Sequence, residues 1–251
     1  MLMMNDFYDP DTKPLFTPED FYGPKSDCAE ICMVIFSREI HAHMLERFDC
    51  VKCGEMTGCN MNTPIYMFEH KGRQLAFYLS SIGSALASHN VIEANWLTGA
   101  ETFIMFGSAG TLDSKRTAGR YVVPSRAYRG EGMSFYYAAP SDYITIKCAD
   151  KVAECFEDAG IPYVTGPVWT TDAFYRETER LVTDRKNEGC LAVDMELAGV
   201  QAVCDHYGWH LYNFLETGDV VEVDGYDIST LKEANHNIRK LEAAFAIVDK
   251  L

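Results

Sequence analysis

The stretch Glu101-Thr102-Phe103-Ile104-Met105-Phe106-Gly107-Ser108-Ala109-Gly110 decides the fold class. Glu101 to Phe106 is rich in β-branched and aromatic residues and reads as a strand. Gly107 to Gly110 is made of small residues, and predicts a strand-to-loop transition where backbone can approach a ligand closely. Working outward, short apolar runs alternate with helix-length segments on both sides. Upstream lie a strand at Cys32 to Phe36, a helix from about Ile40 to Phe48, and strands at Pro64 to Glu69 and Gln74 to Ser80. The last two flank His70-Lys71-Gly72-Arg73, a connection of hairpin type. A helix over Ser84 to Leu97 stops at Gly99. Downstream, Arg120 to Val123 is a strand, Ala149 to Ala159 an amphipathic helix, Tyr163 to Trp169 a strand and Ala192 to Tyr207 a helix. Leu211 to Leu215 is a strand leading into Glu216-Thr217-Gly218-Asp219, and Ser229 to Leu251 is a terminal helix with Leu231, Ile238, Leu241 and Ala244 on one face. This alternation without repeat or linker is α/β and predicts one domain over residues 31–251. Residues 1–30 are acidic and aromatic, with Pro10, Pro14, Pro18 and Pro24 breaking any regular element. They predict an arm on the surface, near an oligomer interface.

The 251 residues are 47% hydrophobic and 24% charged, with 18 Gly and 9 Pro, which is ordinary globular composition and excludes fibrous and disordered classes. Lys plus Arg is 22 against 37 Asp plus Glu, a formal charge of -15. Such a surface repels phosphate backbones and anionic headgroups, so neither nucleic acid nor a membrane is expected as partner. No window approaches the ~18 apolar residues of a membrane span. An odd number of cysteines, nine, with no secretion-type segment at the start, predicts reduced thiols in a cytoplasm. Cys50-Val51-Lys52-Cys53 with Cys59 lacks a second ligand pair, and His41 and His43 sit on a different predicted element, so no metal is expected.

Three segments place small or polar residues just past strand ends: Gly107 to Gly110, Thr170 to Asp172, and Gly218-Asp219. In α/β sheets ligands sit outside the carboxyl ends of strands, so convergence of these segments would make one site. The glycine-rich piece lacks both the dinucleotide and the phosphate-loop spacing, and alone is as well explained by a plain turn. Asp194-Met195-Glu196, within the apolar segment Leu191 to Val200, says more, because a carboxylate buried there needs a partner. The plain alternative is a carboxylate facing solvent at a first helical turn, where the dipole favours it. Asp219 is likewise either a turn residue or a buried acid whose raised pKa lets it donate a proton.

Taken in order, Gly107-Ser108-Ala109-Gly110, the run Ala127 to Tyr137 (AYRGEGMSFYY), Thr171-Asp172-Ala173-Phe174-Tyr175, Asp194-Met195-Glu196 and Gly218-Asp219 resemble the nucleoside phosphorylase family. The nearest look is to its uridine phosphorylase and hexameric purine nucleoside phosphorylase branch. The resemblance runs from about residue 32 to the C-terminus. It implies a central, mixed, partly barrel-like sheet flanked by helices, and a homo-oligomer, dimer or hexamer. It implies that Met195 and Glu196 bind ribose, with the glutamate accepting from the sugar hydroxyls, and that Phe174 packs on the base. Asp219 matches the acid that protonates a departing purine, and Ser108, with Gly107 before it, a contact to phosphate or sugar. Arg180 stands where pyrimidine-specific relatives place an arginine; Thr178 stands where they place a glutamine.

The chain departs from the pattern at phosphate. The family's phosphorylases use three arginines; here the first loop reads Phe36-Ser37-Arg38-Glu39-Ile40-His41, another position is Met105, and the third falls near Asn60 to Asn62. Without guanidinium forks a dianion loses the bidentate bonds that orient it, and Arg38 is the available substitute. Methylthioadenosine nucleosidases, hydrolytic relatives, also lack those arginines and share the Gly-Ser-Ala-Gly and Asp-Ala-Phe segments. They activate water with a glutamate after the first strand, near which His41 or Glu39 falls. The resemblance therefore implies N-glycosidic cleavage of a nucleoside in salvage metabolism. The default is phosphorolysis to ribose 1-phosphate by a pentosyltransferase, with phosphate as co-substrate and no cofactor. Hydrolysis is the runner-up and a non-enzymatic nucleoside-binding protein a further alternative. Asp219 favours purine over pyrimidine.

Overall fold

Ile31–Ile35 (β1) is an unbroken apolar run because it lies mid-sheet between two parallel neighbours and every one of its side chains is buried. The computed structural model describes residues 7–59, 61–223 and 225–251. The first six residues of the expected arm, and Asn60, lie outside them. Before β1 the chain forms α1 (Pro18–Tyr22); after it come α2 (Arg38–Arg47), β2 (Val51–Met56), β3 (Thr63–His70), β4 (Arg73–Leu79) and α3 (Ser84–Thr98). There follow β5 (Thr102–Thr111), α4 (Ser114–Thr117), β6 (Tyr121–Gly130), α5 (Ser134–Tyr137), β7 (Tyr143–Thr145), α6 (Ala149–Asp158), β8 (Tyr163–Thr171) and α7 (Glu179–Asn187). The last elements are β9 (Ala192–Asp194), α8 (Leu197–Tyr207), β10 (His210–Glu222), β11 (Gly225–Asp227), α9 (Leu231–His236) and α10 (Arg239–Val248).

The strands make one mixed sheet in the order β11-β10-β6-β8-β9-β5-β1-β4-β3-β2, with β7 on β6. A further pairing of β10 with β5 closes β5, β10, β6, β8 and β9 into a ring, so the sheet is in part a barrel. Helices flank it: Leu197, Ala198, Val200, Ala202 and Val203 of α8 and Leu241, Ala244, Ile247 and Val248 of α10 are buried in the core. The fold is the single α/β domain that the alternation and the resemblance implied.

Three sequence boundaries need correction. β5 does not stop at Phe106 but continues through Gly107 to Thr111, because the ladder with β10 runs the whole way. Gly110 is a packing position: a Cβ there would lie 2.7 Å from Val221, 3.1 Å from Val193 and 3.2 Å from the Asp219 carboxylate. Residues 192–207 are not one helix, since Ala192–Asp194 pairs as a strand with β5 and β8 before α8 begins. The terminal helix is two. Asn237 separates them, its Oδ1 accepting from the Arg239 N–H at 3.1 Å, and Ile238 is 43% exposed rather than on the core face.

The arm contains one helix, α1, which starts with Pro18 at a position where the missing N–H is not needed. It is held against α3, where Tyr22 donates to Glu93 at 2.7 Å and Trp96 donates to the Gly23 carbonyl at 2.8 Å. Leu15, Phe16 and Phe21 are exposed. All nine cysteines are free thiols.

Candidate active site

A cavity of about 220 Å³ opens at the carboxyl ends of β1, β5 and β10, beside the turn that follows β9. Gly107, Ser108, Phe174, Met195, Glu196 and Asp219 all line it, joining four segments far apart in sequence. Asn213, Glu177, Asn235 and His236 complete its polar wall, and Phe36, Ile82, Met105, Leu215 and Leu231 its apolar one.

The β9–α8 turn separates the roles of two neighbouring carboxylates. Asp194 caps α8: its Oδ2 accepts from the Glu196 and Leu197 N–H groups at 2.9 and 2.7 Å, and its Oδ1 from the Thr170 hydroxyl at 2.7 Å. A side-chain cap of this kind contributes ~1 kcal/mol and fixes the entry angle of the helix. Glu196 is thereby turned into the cavity, where its Oε1 accepts from the Gly83 N–H at 2.7 Å. Gly83 holds φ +97, a conformation L side chains rarely adopt, and so presents this amide at the mouth of α3. The partner expected for Glu196 is thus a backbone amide. Burial pushes the Glu196 carboxyl up to about 8, and the Asp194 charge acts in the same direction.

Asp219 is placed by a bulge. Between Thr217 and Asp219 the register of β10 on β5 shifts by one residue, leaving Gly218 as the extra one. Only glycine fits there, because a Cβ would meet Ala234 of α9 at 2.8 Å. The bulge aims the largely buried Asp219 carboxylate into the cavity. Burial raises its pKa, while the Tyr226 hydroxyl opposes the shift. Glu177 stands in the same wall, raised to about 7 by burial and by the charge of Asp219.

At the other end, Ser108 bonds Asn235 of α9. Asn213, enclosed in β10, donates to the Met105 carbonyl at 2.9 Å and leaves its Oδ1 without a partner among the described residues. Lys240, buried beneath α9, donates to the Ala234 and Asn235 carbonyls and holds the end of that helix; burial lowers its pKa to about 8. The Nδ1 of His236 lies 2.9 Å from the Ser37 hydroxyl, and its Nε2 3.8 Å from Glu39. Glu39 therefore reaches the rim of the cavity only through His236.

Other sequence candidates fall outside the lining. His41 is turned into an aromatic cluster, with ring centroids 5.8 Å from Tyr66 and 5.3 Å from Phe77. Its Nε2 is buried without a partner, and burial lowers its pKa. Arg38 is exposed at the start of α2. Arg180 extends into solvent and pairs with Asp184 at 2.9 Å, and Thr178 precedes α7. The run Ala127 to Tyr137 is scaffolding. Arg129 donates to Ser134 at 2.7 Å and to the Ala139 carbonyl at 2.7 Å, and Glu131 accepts from Ser84 at 3.0 Å, tying β6 to α3. Glu177, Asn235 and His236 carried no sequence signal. Asn213 had one, a lone amide in the apolar run Leu211 to Leu215.

Among the described residues no cluster of three or more His, Cys, Asp or Glu is arranged to hold a metal ion, and no helix is long and apolar enough to cross a membrane.

Residues 31–249 match the family model of the phosphorylase superfamily. A guanosine phosphorylase of Halorubrum lacusprofundi is 30% identical over 174 residues, 68% of this chain and 69% of that protein. A DeoD-type purine nucleoside phosphorylase of Myxococcus xanthus is 28% identical over 155 residues, 59% of this chain and 64% of its own length. Among solved structures, the futalosine hydrolase of Helicobacter pylori superposes with a TM-score of 0.72 at 16% identity, covering 89% of this chain and 98% of its own. The 5'-methylthioadenosine/S-adenosyl homocysteine nucleosidase of the same organism gives a TM-score of 0.72 at 16% identity, covering 90% and 100%. At such identity these two likenesses speak for the fold alone.

Proposed function

This chain belongs to the phosphorylase superfamily, and from that premise we propose that its cavity cleaves the N-glycosidic bond of a purine nucleoside with water as the acceptor. The carrying observation is that Glu196, Met195, Phe174, Asp219 and Ser108 converge on one cavity. In this reading Glu196 accepts hydrogen bonds from the ribose hydroxyls and Phe174 packs on the base. Cleavage passes through an oxocarbenium-like sugar. The departing purine takes the bonding electron pair and a proton from Asp219 on its imidazole nitrogen; water adds to the anomeric carbon, and the proton it gives up returns through solvent to the Asp219 carboxylate, leaving free base and free ribose. Burial moves Asp219 in the direction a proton donor needs, and such acid catalysis supplies ~10²–10⁴-fold. No cofactor is required. The names of the two relatives, a guanosine and a purine nucleoside phosphorylase, support purine as the base.

For the acceptor, the wall around Ser108 carries the argument. The cavity sets Phe36, Met105, Ile82 and Leu215 beside Asn213, Asn235 and His236, and among the described residues no Lys or Arg lines it. A phosphate dianion placed there would be desolvated against apolar carbon without a guanidinium, whereas water needs only a neutral polar contact such as Ser108 or the free Asn213 oxygen. The second reading, phosphorolysis with Arg38 or an arginine from another subunit as the anion contact, is favoured by the names of the relatives. The exposed Leu15, Phe16 and Phe21 of the arm support a homo-oligomer.

The test of the site is base release by purified protein and by Glu196→Gln and Asp219→Asn. Both variants are expected to bind nucleoside and to lose base release by about 100-fold or more. Base release within a few-fold of wild type in either would remove that residue from the mechanism.

A further inference from the structure

Across β10 from the candidate active site lies another cavity, of about 390 Å³. Side chains alternate along a strand, so Leu215 lines the first cavity and its neighbour Glu216 lines this one. The turn between α4 and β6 supplies Arg120 and Tyr121 to its wall, β10 supplies Thr217, and the start of α10 supplies Arg239. The charge here is not balanced as it is elsewhere on the chain. Glu216 is already engaged: its Oε1 accepts from the Asn237 amide at 2.7 Å, and its Oε2 lies 4.0 Å from the Nζ of the buried Lys240. Arg120 donates to the Arg116 carbonyl at 3.0 Å, and among the described residues neither Arg120 nor Arg239 pairs with a carboxylate. Against these two guanidinium groups stands one exposed carboxylate, Glu242. The result is a local positive charge on a chain whose formal charge is -15. The Tyr121 ring packs on Phe156 and Phe214, at centroid distances of 5.7 and 5.2 Å, and its hydroxyl has no partner among the described residues. Burial first, then the charges of Glu216 and Glu242, push that hydroxyl above its ordinary range, so it stays protonated and able to donate. Among the described residues no other aromatic side chain lines the cavity, and a nucleobase would find no open ring to stack on.

We propose that this cavity is a second ligand site, which binds the phosphate monoester of a small sugar through Arg120 and Arg239. A guanidinium offers a planar fork of donors that matches phosphate oxygens in bidentate fashion, and the Tyr121 hydroxyl adds a neutral donor. Glu242 and the Thr217 hydroxyl serve the other end of the ligand. An ionised carboxylate only accepts, so Glu242 repels a bare dianion and pairs with sugar hydroxyls, which favours the ester over inorganic phosphate. A phosphate held here lies across β10 from the cavity that Ser108 lines and takes no part in glycosidic cleavage. Binding of phosphate compounds by this protein is therefore no sign of phosphorolysis.

The experiment is calorimetric titration of the full chain with ribose 5-phosphate, inorganic phosphate and ribose at low ionic strength. The proteins compared are wild type, Arg120→Gln, Arg239→Gln, Arg38→Gln and Ser108→Ala. Wild type is expected to bind ribose 5-phosphate at one saturable site, inorganic phosphate more weakly, and ribose not at all. Each of Arg120→Gln and Arg239→Gln should weaken ribose 5-phosphate by about tenfold or more, the loss of one charge-assisted contact. Arg38→Gln and Ser108→Ala should leave it within about twofold, since neither residue lines this cavity. No saturable binding of ribose 5-phosphate, or binding that both Arg120→Gln and Arg239→Gln leave unchanged, would overturn the assignment. So would binding lost in Arg38→Gln or Ser108→Ala, which would put the phosphate at the first cavity. Inorganic phosphate binding as tightly as the ester would overturn the sugar part of the ligand. Arg120 and Arg239 are both exposed, and thermal unfolding verifies that each variant is folded.

Discussion

Glu196→Gln should destroy function and stabilise the protein, by an amount that grows with pH. The carboxyl is held at about 8 by burial and by the Asp194 charge, against an ordinary value of 4.5. Folded protein therefore keeps a proton on Glu196 between about pH 4.5 and 8 that the unfolded chain has released. Stability falls as pH rises wherever the folded state binds the extra proton. At 1.36 kcal/mol per unit, the cost of this one group grows from ~2 kcal/mol at pH 6 to ~4–5 kcal/mol at pH 9. Glutamine keeps the acceptor for the Gly83 N–H and carries no charge to bury. The difference in unfolding free energy between variant and wild type should widen by ~2–3 kcal/mol from pH 6 to pH 9, or ~4–12 °C in Tm for a chain of this size. Taking the difference between two proteins cancels other titrating groups, including Lys240, whose lowered pKa makes stability rise with pH above about 8. The assay is thermal unfolding of both proteins across that range, alongside base release from guanosine. A difference that stays flat with pH, or a variant less stable than wild type at pH 9, would refute the burial of an ionisable Glu196 in the site.

Asp219→Asn should lower purine release by ~10²–10⁴-fold with binding retained, since the amide keeps the shape but cannot supply the proton; equal loss on a substrate whose leaving group needs no protonation, such as a nitrophenyl riboside, would refute the acid role. His41→Phe should leave base release within a few-fold of wild type and stability unchanged or up to ~1 kcal/mol higher, because it removes a buried unpartnered nitrogen from the Tyr66–Phe77 cluster; loss of turnover without loss of stability would return His41 to the mechanism. Gly110→Ala should lower stability by ~1–3 kcal/mol in denaturant unfolding, as its methyl would press on Val221 and on the Asp219 carboxylate.

What the sequence showed and what it hid follow from how local the determinants are. The hairpin is local: Lys71 and Gly72 turn with φ 52 and 80, and β3 and β4 pair on either side. So is the end of α3, where Gly99 takes a left-handed conformation. β5 through Gly107 to Gly110 is not local. Its small residues look like a loop, and only the neighbouring strands of the ring, whose side chains fill the space a Cβ would need, make them a strand. Asp194 reads as part of a helix until its carboxylate is seen capping α8. Glu196 was legible because a carboxylate in an apolar run demands an explanation, and Asp219 because it follows Gly218 just past a strand end. His236, Asn235 and Glu177 sit in polar stretches where nothing marks them, and they enter the site through the packing of α9 on the β10 bulge and through the turn after Phe174.

The most direct test of the account is chromatography of the products when purified protein is incubated with guanosine, inosine, adenosine and uridine, with and without phosphate. The account predicts free purine base and free ribose in phosphate-free buffer, at a rate phosphate does not raise. Ribose 1-phosphate formed only when phosphate is present would contradict water as the acceptor, and absence of base from every purine nucleoside would contradict the function.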